Sequence, residues 1–239
     1  MHVTVIIPAL DEELSIGAVL DSLKGSLVRS VIVADNGSSD RTAQIAAARG
    51  ALVVREPERG YGAACAAAVK HLPAETSIVV FMDADGADDP ADLARLIEPV
   101  EAGEKDLVIG ARRHIDAGAL TPQQRIGNRI ATTLIRLLYG FRYTDLGPFR
   151  AVRRSTLDRM NMRDRRYGWT VEMQIRALQI GARAGEVDVH YRRRAGRSKI
   201  SGTVSGVLKA GFWILYTVFA HAIAWPARRR SARWSGVAR

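Results

Sequence analysis

Asp83 and Asp85 stand one residue apart in the stretch Val79-Val-Phe-Met-Asp-Ala-Asp-Gly-Ala-Asp-Asp-Pro90, where an apolar run stops abruptly. A strand ending in Asp-x-Asp places two carboxylates at the carboxyl edge of a sheet, where open α/β folds bind ligands. Such carboxylates repel each other and serve no apolar purpose, so a cation is the natural third party. Hard oxygen donors suit Mg2+ or Mn2+, which share their remaining positions with water and substrate phosphates. Other strand-end motifs are Pro8-Ala-Leu-Asp-Glu-Glu13, Ala34-Asp-Asn-Gly-Ser-Ser-Asp40 and Arg59-Gly-Tyr-Gly62. Asp35 can accept the imide proton of a uracil or the N1–H of a guanine. Gly60 and Gly62 let backbone approach a ligand closely. They do not make the dinucleotide fingerprint, which needs Gly-x-Gly-x-x-Gly after the first strand.

The elements that must carry these motifs alternate. Val3–Pro8, Val31–Ala34, Leu52–Val54, Ile78–Met82 and Leu107–Ile109 read as short β-branched strands. Between them lie helical spacings at Ser15–Leu23, from Asp40 to Arg49, at Gly62–His71 and at Asp92–Glu101. This alternation predicts an α/β fold with a mostly parallel central sheet covered on both faces. Further on, Gln123–Leu138 and Thr170–Ile180 read as helices, and Phe149–Val152 and Val187–Tyr191 as strands. Arg192–Ser201 is a polar, basic loop, and Val204–Trp225 a long apolar helix. Cys65, the single cysteine, lies in an Ala-rich run and reads as a small core residue; it excludes an intramolecular disulfide.

Charge is segregated. Residues 1–120 carry 11 Lys/Arg against 19 Asp/Glu, and residues 121–239 carry 24 against 6. A cation site in an acidic half and a basic second half fit one ligand that bears both a metal and several phosphates. The apolar C-terminal helix contains Lys209 and is followed by Trp225 and by Arg228, Arg229, Arg230 and Arg233, an aromatic and a basic anchor in series. It reads as an interfacial helix or a dimer contact, with a core helix or a bilayer span as alternatives. The absence of a signal-like opening suggests a cytoplasmic protein, peripheral at the inner face of the cell membrane.

Together the motifs resemble family 2 glycosyltransferases of the GT-A fold, most closely the branch with dolichyl- and polyprenyl-phosphate sugar synthases. The resemblance spans about residues 3 to 205. Pro8–Glu13 resembles the family's Pro-x-x-Asn-Glu-Glu, with Asp11 in place of Asn, and Asp35–Asp40 its Asp-Asp-Gly-Ser-x-Asp. Asp145-Leu-Gly-Pro-Phe-Arg150 resembles its Asp-x-x-Ser-Gly-Phe-Arg, departing at Gly147 and Pro148, and Arg194–Lys199 its Arg-x-x-Gly-x-Ser-Lys loop. Ala87 stands where a polar residue is usual, leaving Asp88, Asp89 or water to complete a metal shell. The resemblance implies a GT-A domain at 1–203 and a helical appendage at 204–239. It implies nucleotide-sugar contacts from Pro8, Leu10, Glu12, Asp35, Gly60, Gly62, Asp83, Ala84, Arg194 and Lys199, with a UDP- or GDP-linked donor. It also implies Mg2+ or Mn2+ on Asp83 and Asp85, catalysis by Asp83, Asp85 and Glu172, and acceptor-phosphate contacts from Arg112 and Arg150. A polyprenyl phosphate acceptor at the membrane surface and an inverting reaction complete the expectation. An alternative keeps the donor chemistry with a soluble or protein hydroxyl acceptor and Glu172 as base. A nucleotidyltransferase would want a basic, Gly-rich loop after the first strand, where Ala9–Glu13 is acidic. A nucleic-acid binder lacks a helix-turn-helix or an aromatic–basic platform.

Overall fold

The computed structural model describes residues 1–195 and 204–223, with side chains of the last helix described from residue 211. The sheet runs β3-β2-β1-β4-β6-β5-β7. Its strands are β1 Val3–Ala9, β2 Val28–Asp35, β3 Leu52–Arg55, β4 Ile78–Phe81, β5 Leu107–Ile115, β6 Arg150–Arg153 and β7 Ala184–Tyr191. Every pairing is parallel except those of β6, which lies antiparallel to both β4 and β5. This is the mostly parallel α/β sheet the alternation predicts, with one reversed strand wedged into its middle.

The helices are α1 Ile16–Ser22, α2 Thr42–Ala48, α3 Tyr61–Val69, α4 Leu93–Glu101, α5 Pro122–Tyr139, α6 Arg154–Met160, α7 Trp169–Ile180 and α8 Val204–Ile223. They cover both faces, which is why the central strands are apolar throughout rather than alternating. Ile6, Ile32, Val79 and Phe81 point into a core shared with α3, α5, α7 and α8. Val5, Ile7, Val33, Val80 and Met82 point the other way, onto α1 and α4. Ala63, Ala64, Cys65, Ala67 and Ala68 of α3 are buried, and their short side chains let that helix ride close to the sheet. Cys65 is thus the small core residue expected.

α8 packs on the domain. Its Val218 and Ala222 belong to the main core, and Tyr139 of α5 donates to the Val218 carbonyl at 2.7 Å. Its Phe212, Leu215, Tyr216, Phe219 and Ile223 face solvent. No helix among the described residues is long and apolar enough to cross a membrane. Trp225 and the arginines after it lie outside the described residues.

The loop between α6 and α7 is held by Glu172, and this corrects the expectation that Glu172 is a base. Its carboxylate is buried and accepts from the Arg163 amide at 3.0 Å and the Asp164 amide at 2.7 Å. Arg176 lies 3.6 Å away and His221 of α8 3.5 Å away. Burial alone would raise this carboxyl, but pairing with His221 and the two amides holds it below the usual range. A carboxylate so engaged is an anchor for the chain, not a proton acceptor open to substrate. Glu172→Gln should therefore cost about 2 kcal/mol by weakening charge-assisted bonds in a buried site, or roughly 4–8 °C in melting temperature. A melting scan checks this; unchanged stability with a large loss of turnover would restore the base.

Candidate active site

The site forms at the carboxyl ends of β1, β2 and β4, where the first two loops are sewn together by side chains accepting backbone amides. The Asp11 amide donates to Ser38 Oγ at 2.9 Å, the Glu12 amide to Thr42 Oγ1 at 2.7 Å and the Glu13 amide to Asp40 Oδ2 at 3.1 Å. In return Asp11 Oδ1 accepts from the Ser39 amide at 2.6 Å. Asp11 has φ of 51°, the left-handed region that Asn and Asp tolerate better than other side chains. Asp11 therefore accepts a local bond and bears a conformation that Asn would tolerate as well.

Beside this seam lies a cleft of about 250 Å³ lined by Asp35, Gly37, Ser38, Asp40, Gln44, Arg55, Glu56 and Pro57. Asp35 is buried, with Oδ1 accepting from the Ser38 amide at 3.1 Å. Pro8, Leu10 and Glu12 stand on the adjoining strand end and do not line the cleft; Glu12 Oε2 accepts from Ser15 Oγ at 3.0 Å. Asn36, which the motifs did not single out, ties the end of β2 to the 56–60 loop. Its Nδ2 donates to the Glu56 and Glu58 carbonyls at 3.0 and 2.7 Å, and its Oδ1 accepts from the Gly60 amide at 2.8 Å.

Gly60 and Gly62 are needed, but for a different neighbour than expected. A Cβ at either position would collide with the carbonyl oxygen of Arg165 or Asp164. The Gly62 and Ala63 amides donate to the Arg166 and Arg165 carbonyls at 2.8 and 3.0 Å. The glycines admit the protein's own 164–166 segment, the one anchored by Glu172, rather than a ligand.

At the end of β4 the carboxylates gather. Asp83 Oδ1 accepts from Tyr61 Oη at 3.3 Å, and the Asp83 amide donates to Asp88 Oδ2 at 3.0 Å. Asp85 Oδ1 accepts from the Ala87 amide at 2.9 Å, while Oδ2 pairs with Arg194 at 2.6 Å. Burial and the Asp85 charge push Asp83 up to about 7. Burial, then the Asp83 charge, push Asp88 up as well. Asp88 Oδ1 is buried with no hydrogen-bond partner. Asp89 is committed elsewhere, capping the next helical turn through the Ala91 amide at 3.0 Å and pairing with Arg192 at 2.5 Å. Among the described residues no group of three or more His, Cys, Asp or Glu side chains could hold a metal by itself. Two hard carboxylates beside an orphaned carboxylate oxygen nonetheless fit a divalent cation whose remaining ligands come from a diphosphate and water. Ala84 between them is buried.

The two arginines expected at an acceptor phosphate part company. Arg150 is fully buried; it donates to the Thr170 carbonyl at 2.8 Å, the Leu146 carbonyl at 3.3 Å and the Gly147 carbonyl. It tethers the 146–147 turn to α7 and cannot reach a substrate, which corrects that expectation. Arg112 grips Asp145 at 2.7 and 2.6 Å but also lines a second cleft of about 140 Å³. Arg113, Gln124, Arg125, Asn128 and Thr144 supply the rest of the cleft's polar lining beside Asp145, with Ala111, Ile115 and Leu120 between them. The Arg112-Arg113 pair late in β5 and the basic first turns of α5 were the available signal for it. Lys199 lies outside the described residues.

Known proteins share this fold. A solved glucosyl-3-phosphoglycerate synthase from Mycobacterium tuberculosis, in complex with phosphoglyceric acid, is 25% identical and superposes with a TM-score of 0.77, covering 95% of this chain and 81% of that one. The same enzyme with Mn2+, uridine diphosphate and its product gives a TM-score of 0.76 at 25% identity, with the same coverage of both chains. An undecaprenyl-phosphate mannosyltransferase of Micrococcus luteus is 33% identical over 222 residues, 86% of this chain and 90% of that protein. An uncharacterized glycosyltransferase of Mycobacterium tuberculosis is 40% identical over 215 residues, 88% and 96% of the two chains. The sequence model for glycosyl transferase family 2 matches residues 4–160, from the first strand through the Asp-x-Asp and β6 to the end of α6. This chain, with its GT-A-like fold, belongs to glycosyl transferase family 2 and is a glycosyltransferase.

Proposed function

We propose that this enzyme moves a sugar from a UDP- or GDP-linked donor to a polyprenyl phosphate at a membrane surface, with inversion at the anomeric carbon. Asp35 and the cleft beside it hold the nucleobase end of the donor. Asp83 and Asp85 hold Mg2+ or Mn2+, which when bound offsets the charge that builds on the leaving diphosphate. Arg112, Arg113 and Arg125 take the acceptor phosphate in the second cleft. One acceptor oxygen attacks the anomeric carbon, opposite the bond to the diphosphate, and the nucleoside diphosphate departs with that bond's electrons. A phosphate monoester has a second pKa of about 6, so its oxygen is already anionic at neutral pH and needs no base. The engagement of Glu172 with backbone amides supports this acceptor over a hydroxyl, which would require one.

The observation that carries the lipid reading is a pair of apolar stripes on neighbouring helices. On α5 Ile126, Ile130 and Leu137 are 60%, 49% and 74% exposed. Arg125, Arg129 and Arg136, each one residue earlier, are exposed along the adjacent line of the same helix. Packed against α5, α8 exposes Phe212, Leu215, Tyr216, Phe219 and Ile223 at helical spacing. Apolar side chains flanked by arginines suit an anionic bilayer surface. Arg125 begins the α5 stripe and also lines the second cleft, so a phosphate there would leave its hydrocarbon tail at the apolar face. The mannosyltransferase relative, whose name specifies undecaprenyl phosphate, points the same way. The phosphoglyceric acid bound by the solved synthase supports a water-soluble acceptor as the second reading.

Purified protein with labelled UDP- and GDP-sugars, Mn2+ and undecaprenyl phosphate should carry label into the organic phase from one donor. Transfer only to water-soluble phosphorylated acceptors would select the second reading. Replacing Ile126, Ile130 and Leu137 together by Glu should reduce co-sedimentation with anionic vesicles while leaving melting within about 2 °C, as for exposed positions. Undiminished sedimentation would remove the α5 stripe from the membrane surface.

A further inference from the structure

Arg194 occupies an unexpected place for a residue that the resemblance puts on the nucleotide sugar. Its guanidinium lies 2.6 Å from Asp85 Oδ2, the oxygen of that carboxylate not bonded to the Ala87 amide. The pairing is built in by backbone on both sides. The Ala195 amide donates to the Asp85 carbonyl at 3.0 Å and the Arg192 amide to the Ala87 carbonyl at 2.7 Å. The neighbouring cations are otherwise engaged: Arg192 pairs with Asp89 and Arg112 with Asp145. Arg194 is therefore the arginine paired directly with Asp85, and its charge eases the crowding on Asp83, as that of Arg112 does on Asp83 and Asp88.

We propose that Arg194 is a resident counter-cation which competes with the divalent metal for Asp85 and is released onto the donor diphosphate when metal and nucleotide arrive together. The proposal rests on the reading of Asp83 and Asp85 as cation ligands. A guanidinium at hydrogen-bond distance and a dication on the same carboxylate oxygen repel each other, so the metal alone meets an opposing charge. A diphosphate supplies the guanidinium with another planar, bidentate anion, and the opposition becomes attraction. Because the backbone on either side is tied to the 85–87 turn, a side-chain rotation accomplishes the exchange. Metal and nucleotide thus bind with positive coupling, each raising the affinity for the other by the same factor. The cation is therefore held best together with the nucleotide rather than by the carboxylates alone.

Loss of the free Mn2+ electron paramagnetic resonance signal measures cation binding directly, without turnover. It should be followed with and without UDP or GDP on the wild type, Arg194→Gln, Arg194→Lys and Asp85→Asn. Arg194→Gln should bind Mn2+ alone about tenfold more tightly than wild type, the scale of one close charge pair. The same variant should lose most of the nucleotide-induced tightening, with Arg194→Lys between the two and Asp85→Asn weak throughout. If Arg194→Gln binds Mn2+ alone no more tightly than wild type and keeps its coupling to nucleotide, the counter-cation role is overturned and the cation site stands. If the wild type takes up no Mn2+ with either nucleotide, both are overturned.

Discussion

Carboxylates crowded at the end of β4 impose the strongest electrostatic constraint on this protein. Asp83, Asp85 and Asp88 repel one another where water is largely excluded, as the upward push on Asp83 and Asp88 records. An isolated buried charge is untenable, so the fold surrounds these groups with donors: the Ala87 and Asp83 amides, Tyr61 Oη and the Arg194 guanidinium. The loop after β7 is laid along the turn after β4, through the Arg192 and Ala195 amides, so that a basic segment faces an acidic one. The segregation of charge between the two halves of the chain is the sequence-level trace of this arrangement.

A second dependence runs through residues 163–168. Glu172 holds the amides of Arg163 and Asp164, and the carbonyls of Arg165 and Arg166 receive the first amides of α3. Arg165 pairs with Glu58 at 2.6 Å and Glu56 at 3.3 Å, beside the cleft that Asp35 lines. Asp164 accepts from Thr217 of α8 at 3.3 Å, and Arg166 stacks over Trp213 at 5.3 Å. One short segment therefore touches both the loops beside the Asp35 cleft and the helix bearing the outward apolar stripe. It ties the catalytic end of the sheet to the proposed membrane-facing surface.

Local pattern made much of this legible. β1 to β5 and the larger helices follow from apolar runs and 3.6-residue spacing, because burying one face or two is decided within a few residues. The gathering of Asp35, Asp83 and Asp85 at one edge of the sheet was legible because strand ends have a known place in a parallel sheet. What escaped was non-local. Nothing in Arg150–Arg153 says that it pairs antiparallel between β4 and β5, and seven-residue α6 has too little periodicity to announce itself. Gly60 and Gly62 advertise close approach but not what approaches. Arg150 and Glu172 look like reagents by type, and only packing shows both buried and held by backbone groups, Glu172 also by Arg176 and His221. The pairing of Arg194 with Asp85 joins a late loop to an early turn, so spacing could not reveal it.

The central claim is that one nucleoside diphosphate spans the Asp35 cleft and the Asp83–Asp85 carboxylates. Calorimetric titration of UDP and GDP into the wild type and Asp35→Asn, each with Mn2+ and then with a chelator, tests it most directly. The account predicts that one nucleotide binds the wild type with Mn2+, that chelation weakens it at least tenfold, and that Asp35→Asn weakens it by a similar factor. Equal affinity with and without the cation, or an Asp35→Asn variant that binds as the wild type does, would contradict the account.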